Sequence, residues 1–335
     1  MAVARASTLG NVLLATTVLA TSATVTVEPR TLTEEEWNQV RPLFKLVEEV
    51  AAGKPAASDV RLAWHGYFLN AEAGVVFVPF SLSIEQGEFT SYPVAMYLRV
   101  VKRGAPAPAP GPRDALAQYP FEDAAIFERP RDGRFSRGFT APPGEYDVYV
   151  GLTEKATAEG TRPRTVVLKQ EVTVPDLQSD LAVSSIFVVD KIEIDPGNRR
   201  LNFEEQLDEP YVWWGTKLTP ALRTTFGRGD KLSVTFLVYN VAASSDDKPD
   251  VEVQYDFQRK TGATETFFAR TRPELFNAHT LKRAFSVAAG DLIIAGQEMP
   301  LQRFRDGDYR LVITVTDKAS GKSLTRDVPF TVRGS

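Results

Sequence analysis

From residue 60 onward, apolar and polar positions alternate in short runs punctuated by Gly, Pro, Asn and Asp, as expected of strands that bury one face. In the first part of the chain these runs cover 62–70, 74–85, 94–103, 121–128, 144–155 and 165–174. In the second they cover 231–242, 250–260, 281–289, 307–318 and 323–332. Their Val, Ile, Phe and Tyr content suits a pleated, half-buried surface. Residues 33–52 follow another period: Trp37, Val40, Phe44, Val47 and Ala51 recur at helical spacing. Thr33 is placed to cap this helix, Glu34 to Glu36 sit at its positive dipole end, and Gly53 is a stop. Pro42 removes a backbone donor inside the stretch, so a kink or a second helix start is expected there.

The phrase GEYDVYVGLTEK at 144–155 has a near-copy, GDYRLVITVTDK, at 307–318. Tyr146, Val148, Val150 and Leu152 precede Tyr309, Leu311, Ile313 and Val315 by a constant 163 residues, while Tyr97, Lys102 and Gly104 precede Tyr255, Lys260 and Gly262 by 158. Two offsets so close together imply two copies of one unit with small loop changes. Each phrase leads through a polar turn into a second alternating strand ending in VTV or FTV, which predicts a β-hairpin closing each copy. Many short antiparallel strands with few helices favour β-sandwiches over barrels.

The closing hairpin resembles that of bacterial immunoglobulin-like or fibronectin-type domains, in its Gly-Asp/Glu-Tyr start, alternating strand, Lys/Gly turn and Phe-Thr-Val end. Residues 171–188, EVTVPDLQSDLAVSSIFV, are similar to the join between consecutive modules of that kind. Such modules accompany von Willebrand factor A-related domains in envelope and secreted proteins; the Asp-x-Ser-x-Ser motif of the A domain itself does not occur here. The resemblance implies a mainly β protein of two immunoglobulin-like antiparallel β-sandwiches with a short N-terminal helical segment, extracytoplasmic, with a binding or spacer role. The expected divisions are 1–57 for an N-terminal strand or signal segment plus the helix, 58–178 for the first sandwich and 179–335 for the second. An irregular insertion at 196–227 is assigned to the second sandwich.

Composition narrows the function classes. With 39 basic against 43 acidic residues and a net charge of −4, the chain carries no basic footprint for phosphate backbones, so nucleic acid is not an expected partner. The absence of cysteine removes disulfides, thiolate catalysis and thiolate metal sites. The apolar stretch from Leu9 to Ala20 reads equally as a secretory signal or a first strand, and it is too short and polar for a membrane span. GAPAPAPGPR at 104–113 reads as a stiff polyproline-like loop within the first domain.

Candidate chemistry is sparse. His65 in LAWHGYF and His279 in FNAHTLKR lack a nucleophile elbow or a second zinc-spaced histidine, and a structural or surface role is expected for each. No enzymatic activity and no cofactor are expected. The stretch LNFEEQLDEPYVWWGTKLTP joins Glu204, Glu205, Asp208 and Glu209 to Tyr211, Trp213 and Trp214, and the first copy has no counterpart. Exposed, these aromatics could bind a polysaccharide or a protein partner; buried, they would plug the sandwich. A glycoside hydrolase using the carboxylates is the remaining alternative. Asp246, Asp247 and Asp250 share one loop and Asp306 and Asp308 one turn, which makes them weak calcium candidates, since Asp in turns needs no metal.

Overall fold

The computed structural model describes residues 32–56, 58–71, 74–105, 120–157, 161–194, 201–213 and 215–334. The apolar run at 9–20, most of the Ala-Pro stretch and Trp214 lie outside the described residues. Described residues 32–176 and 201–213 form one compact unit, and 177–194 with 215–334 form another.

In the first unit, one antiparallel sheet is built on β3 (Val76–Gln86), which pairs with β1 (Arg61–Gly66), β2 (Leu69–Asn70) and β6 (Arg134–Ala141). The other runs in the order β5-β4-β7-β8, from β4 (Val94–Lys102), β5 (Phe121–Phe127), β7 (Gly144–Glu154) and β8 (Thr165–Val174). Phe80, Leu82, Phe135 and Phe139 from the first sheet and Met96, Leu98, Val148 and Val150 from the second are fully buried or nearly so. Phe121 and Phe139 reach across, their rings 6.1 Å apart. The strands on either side of the Ala-Pro stretch, β4 and β5, pair directly with each other.

Strand β4 is buried on both faces because helix α1 (Glu34–Ala51) lies over the outer face of its sheet. Val40, Leu43 and Val47 pack there against Ala95, Tyr97 and Tyr149. Each such side chain removed from water contributes about 1.5–3 kcal/mol. Thr33 caps the helix in a reciprocal capping box with Glu36, and Gly53 follows with φ 86. The helix runs unbroken through Pro42, so no second helix starts there. Pro42 is solvent-exposed, and the buried stripe on the opposite side holds the helix together. Leu43 belongs to that stripe, whereas Ala51 is exposed.

The second unit repeats the plan. One sheet runs β12-β10-β14-β18, with β9 also on β14, from β9 (Ala182–Val183), β10 (Phe187–Ile194), β12 (Thr216–Pro220), β14 (Lys231–Tyr239) and β18 (Ile293–Pro300). The other runs β13-β20-β19-β15-β16, with β17 also on β15. It comprises β13 (Thr225–Gly227), β15 (Val251–Thr261), β16 (Thr264–Arg270), β17 (Glu274–Phe276), β19 (Gly307–Asp317) and β20 (Lys322–Arg333). Pairing is antiparallel except for β13, which runs parallel to β20. Both sheets contribute to one core, including Val234, Phe236, Tyr255, Phe257, Ile313 and Phe330.

The repeat extends beyond the closing hairpin. β3, β4, β6, β7 and β8 correspond to β14, β15, β18, β19 and β20, with matching pairings. Tyr146 donates to the Pro142 carbonyl and Tyr309 to the Arg305 carbonyl, both at 2.9 Å. Gly144 and Gly307 have the same φ of 151.

Three sequence expectations are corrected. Residues 281–289 form turns, not a strand: Leu281 and Phe285 are buried, but Arg283 and Ala289, which a strand would place on the same face, are exposed. Strands β6, β16, β17 and β18 are additional to the expected set; in β6 and β18, Arg, Ser, Gly and Gln at or beside inward positions mask the alternation. The insertion is divided, because described residues 201–213 belong to the first unit while β12 and β13 supply strands to the second.

Candidate functional site

The acidic, aromatic segment of the insertion forms a strap on the first sandwich. Helix α2 (Phe203–Asp208) starts at Asn202, whose side chain accepts from Glu205 N at 2.9 Å while Glu205 Oε2 accepts from Asn202 N at 2.9 Å. This capping box satisfies two orphan donors and engages the Glu205 carboxylate in local structure. Leu207 is buried, Glu204 is half-buried, and Asp208 ion-pairs with Arg137 of β6. The short extended piece β11 (Val212–Trp213) follows, held by Gln206 Nε2, which donates to the Glu209 and Val212 carbonyls.

Arg137 is 1% exposed, and its Nε donates to Asp123 of β5 at 2.5 Å. Burial works against its charge, but Asp123 and then Asp208 outweigh that and hold the guanidinium above its ordinary value. Removal of either partner from a buried pair leaves the other charge uncompensated.

Tyr211 is buried. Its hydroxyl lies 2.9 Å from Ser81 Oγ, which lies 2.8 Å from Ser136 Oγ, and its ring meets Tyr67 edge-on at 6.0 Å. Burial pushes the Tyr67 phenol up to about 12, partly opposed by Arg134, and raises that of Tyr211 further. Trp213 is half-buried, with Nε1 donating to the Pro210 carbonyl at 3.0 Å. Trp214 lies outside the described residues.

The calcium candidates organise their own loops. Asp246 accepts from Ser244 Oγ, and Asp247, at φ 56, accepts from Ser286 Oγ at 2.5 Å and Ala288 N at 2.9 Å. The Asp250 carbonyl receives Lys318 N at 2.8 Å. Asp306 pairs with Arg228, and Asp308 accepts from Thr331 Oγ1. Among the described residues, no three His, Asp or Glu side chains are grouped to hold a metal ion.

A cleft of about 490 Å3 opens in the first sandwich between β1 and β8, each the last strand of its sheet. The consecutive residues from Trp64 to Phe68 form one side, Glu171 to Thr173 the other, and Val78 contributes beneath. Trp64 stacks on the core residue Phe80 with centroids 4.3 Å apart and planes 16° apart. A Cβ on Gly66 would stand 2.5 Å from Trp64 Nε1, so glycine there is a condition of that indole pose. His65 Nε2 lies 3.0 Å from Ser83 Oγ; burial and then Arg134 hold its pKa below the ordinary value, which favours the neutral ring. Glu171 and Thr173 are exposed at the rim, and Glu171 pairs with Arg103 at 2.6 Å.

Sequence reasoning passed over this stretch. Four aromatic rings of different kinds within Trp64 to Phe68, around a glycine, were the signal that could have found it. The second histidine, His279, is exposed in a turn of the other unit, its backbone N donating to Asn277 Oδ1.

No family model matches the chain, and no curated protein does. Among solved structures it is similar to the crystal structure of Salmonella alpha-2-macroglobulin reacted with methylamine, at 13% identity and a TM-score of 0.20. That match covers 82% of this chain and 16% of the other, so the chain spans about a sixth of that protein's length. A likeness at this score carries no argument, and the mainly β, multi-sheet fold stands on the strands and pairings of the chain itself.

Proposed function

We propose that the chain is a non-catalytic interaction or scaffold module of a bacterial envelope or secreted protein, working outside the cytoplasm on a protein or polysaccharide partner. The observation that carries this reading is the use made of the acidic, aromatic segment. Glu205 caps a helix, Asp208 pairs with buried Arg137 and Tyr211 is sealed against Ser81, so the groups best placed for acid/base work serve to hold a strap on a sandwich. The open cleft beside Trp64 then offers the concave, aromatic and polar surface suited to recognition, within the range of about 300–1,000 Å3 typical of small-ligand sites. The tandem repeat supports a spacer role alongside recognition.

Polysaccharide binding through Trp213 and Trp214 is the second reading. Trp213 favours it less than first expected, because its indole N–H is engaged by Pro210 and its ring is half-buried. The reading is tested by assaying the whole chain on chromogenic glycosides and esters. Rates equal to buffer, unchanged by Glu205→Gln or Asp208→Asn, are expected; turnover that falls in either variant would replace it with a hydrolase.

A further inference from the structure

We infer that the cleft between β1 and β8 binds a neutral sugar residue of a glycan, with Trp64 as the stacking platform and Glu171 and Thr173 as the polar rim. This rests on the interaction-module reading above and specifies its ligand class. Sugar rings present apolar C–H faces and a girdle of hydroxyl groups, so a site for them needs an aromatic plane fixed in orientation and hydrogen-bonding groups at its margin.

The cleft supplies both. Trp64 is held in one pose by stacking on buried Phe80 from one side and by the absence of a side chain at Gly66. Tyr67 and Phe68 extend the aromatic wall. Glu171 and Thr173 alternate with inward-facing Val172 along β8, so a carboxylate and a hydroxyl stand exposed on the same side of that strand.

Charge selects among sugars. The lining contains one carboxylate and no Lys or Arg; at the rim Arg103 is paired with Glu171 at 2.6 Å and Asp147 at 2.7 Å, and Arg134 acts on His65 and Tyr67 from outside the lining. Uronic acids, sulfated sugars and phosphates therefore meet a carboxylate whose cation is shared with Asp147, and no Lys or Arg in the lining, which favours neutral hexoses and N-acetylated sugars. An extended peptide adding to the β8 edge is disfavoured, because Gln170 Nε2 donates to the Glu171 carbonyl at 2.9 Å and occupies a main-chain acceptor at that point.

The test is isothermal titration calorimetry of the whole chain with maltohexaose, cellohexaose, mannohexaose and chitohexaose, and with hexagalacturonate as the anionic counterpart. At least one neutral hexasaccharide is expected to bind, with affinity falling tenfold or more in Trp64→Ala and severalfold in the exposed-site variants Glu171→Gln and Thr173→Ala. Gly66→Ala keeps every lining side chain but displaces the indole, and it is expected to match Trp64→Ala. Trp213→Ala is expected to leave affinity unchanged.

Silence of all four neutral sugars, preference for hexagalacturonate, or retention of affinity in both Trp64→Ala and Gly66→Ala overturns the inference. If the sugars are silent while a displayed peptide pool yields binders lost in Trp64→Ala, the sugar class falls and the interaction-module reading stands. Turnover of a bound sugar removes the interaction-module reading instead.

Discussion

Glu154 and Asp317, 163 residues apart, do the same work at the ends of β7 and β19. Glu154 accepts from Thr90 N at 2.6 Å, Ser91 N at 3.2 Å and Arg164 N at 3.0 Å; Asp317 accepts from Ala242 N at 2.9 Å, Ala319 N at 3.1 Å and Ser320 Oγ at 2.6 Å. In both sandwiches the carboxylate ties down the loop that leads into the neighbouring strand. The lysine that follows completes the tie: Lys155 N donates to the Pro93 carbonyl and Lys318 N to that of Asp250, each just before that strand. The phrase "TEK" or "TDK" is thus a loop anchor in both copies.

The first prediction concerns acid. Burial alone would raise the Glu154 carboxyl, but hydrogen bonds from Arg164, Thr90 and Ser91 outweigh it and hold the pKa below its ordinary 4.5. A depressed carboxyl stabilises the fold above the unfolded-state pKa and loses that contribution as pH falls through the folded value. The resistance of the wild type to urea is expected to fall below about pH 4.5, and Glu154→Gln to remove part of that dependence. At neutral pH, Glu154→Ala is expected to cost about 1–3 kcal/mol through main-chain donors left without an acceptor.

Tyr146 and Tyr309 each fasten a strand to the chain four residues upstream, with the ring buried and the hydroxyl on a carbonyl. Tyr→Phe at either position removes the hydroxyl and little else. A loss of about 0.5–1.5 kcal/mol from each is expected in denaturant titrations, additive in the double variant because the residues belong to separate cores. A neutral result at both would show the corners to be dispensable.

Arg137 is the most consequential single position. Arg137→Leu leaves Asp123 buried without its cation and Asp208 without its anchor, and an uncompensated buried charge costs about 3–5 kcal/mol. Asp208→Ala should cost less, since the side chain is 58% exposed, but it should open the strap. Faster proteolytic cleavage within 201–213 of Asp208→Ala, at unchanged protection elsewhere, is the measurement that checks it.

Two glycines separate backbone from side-chain crowding. A Cβ at Gly296 of β18 would stand 2.7 Å from the Val234 carbonyl oxygen, whereas one at Gly138 of β6 would meet the ring of Phe77 at 2.5 Å. A sheet backbone cannot step aside, but a ring can turn. Gly296→Ala is expected to lower thermal stability more than Gly138→Ala, by about 1–3 kcal/mol against a smaller loss.

The parts of this architecture legible in the sequence were those where one physical rule acted alone. The closing hairpins β7–β8 and β19–β20 alternate cleanly, and Thr33 with Glu36 spells out a helix start. Where rules competed, the reading failed. Arg137 stands on β6 where the second copy has Ala295 on β18, opposite Phe80 and Phe236 respectively, so an inward position looked polar and the strand went unseen. Phe285 reaches the core from a turn, which gave a loop the composition of a strand. The strap's placement is not legible locally because its partners, Arg137 and Ser81, lie some 70 to 130 residues earlier in the chain, and no local pattern encodes contacts at that range. In the cleft segment the informative feature is the aromatic company around Gly66 rather than His65.

The return of residues 201–213 to the first sandwich has a consequence at the level of the gene. A coding fragment that stops at residue 178 carries Arg137 and Ser81 without Asp208 and Tyr211, and the complementary fragment carries the latch without its socket. The two sandwiches are therefore not interchangeable cassettes: a cut at the seam between the repeats would part the first sandwich from its own strap.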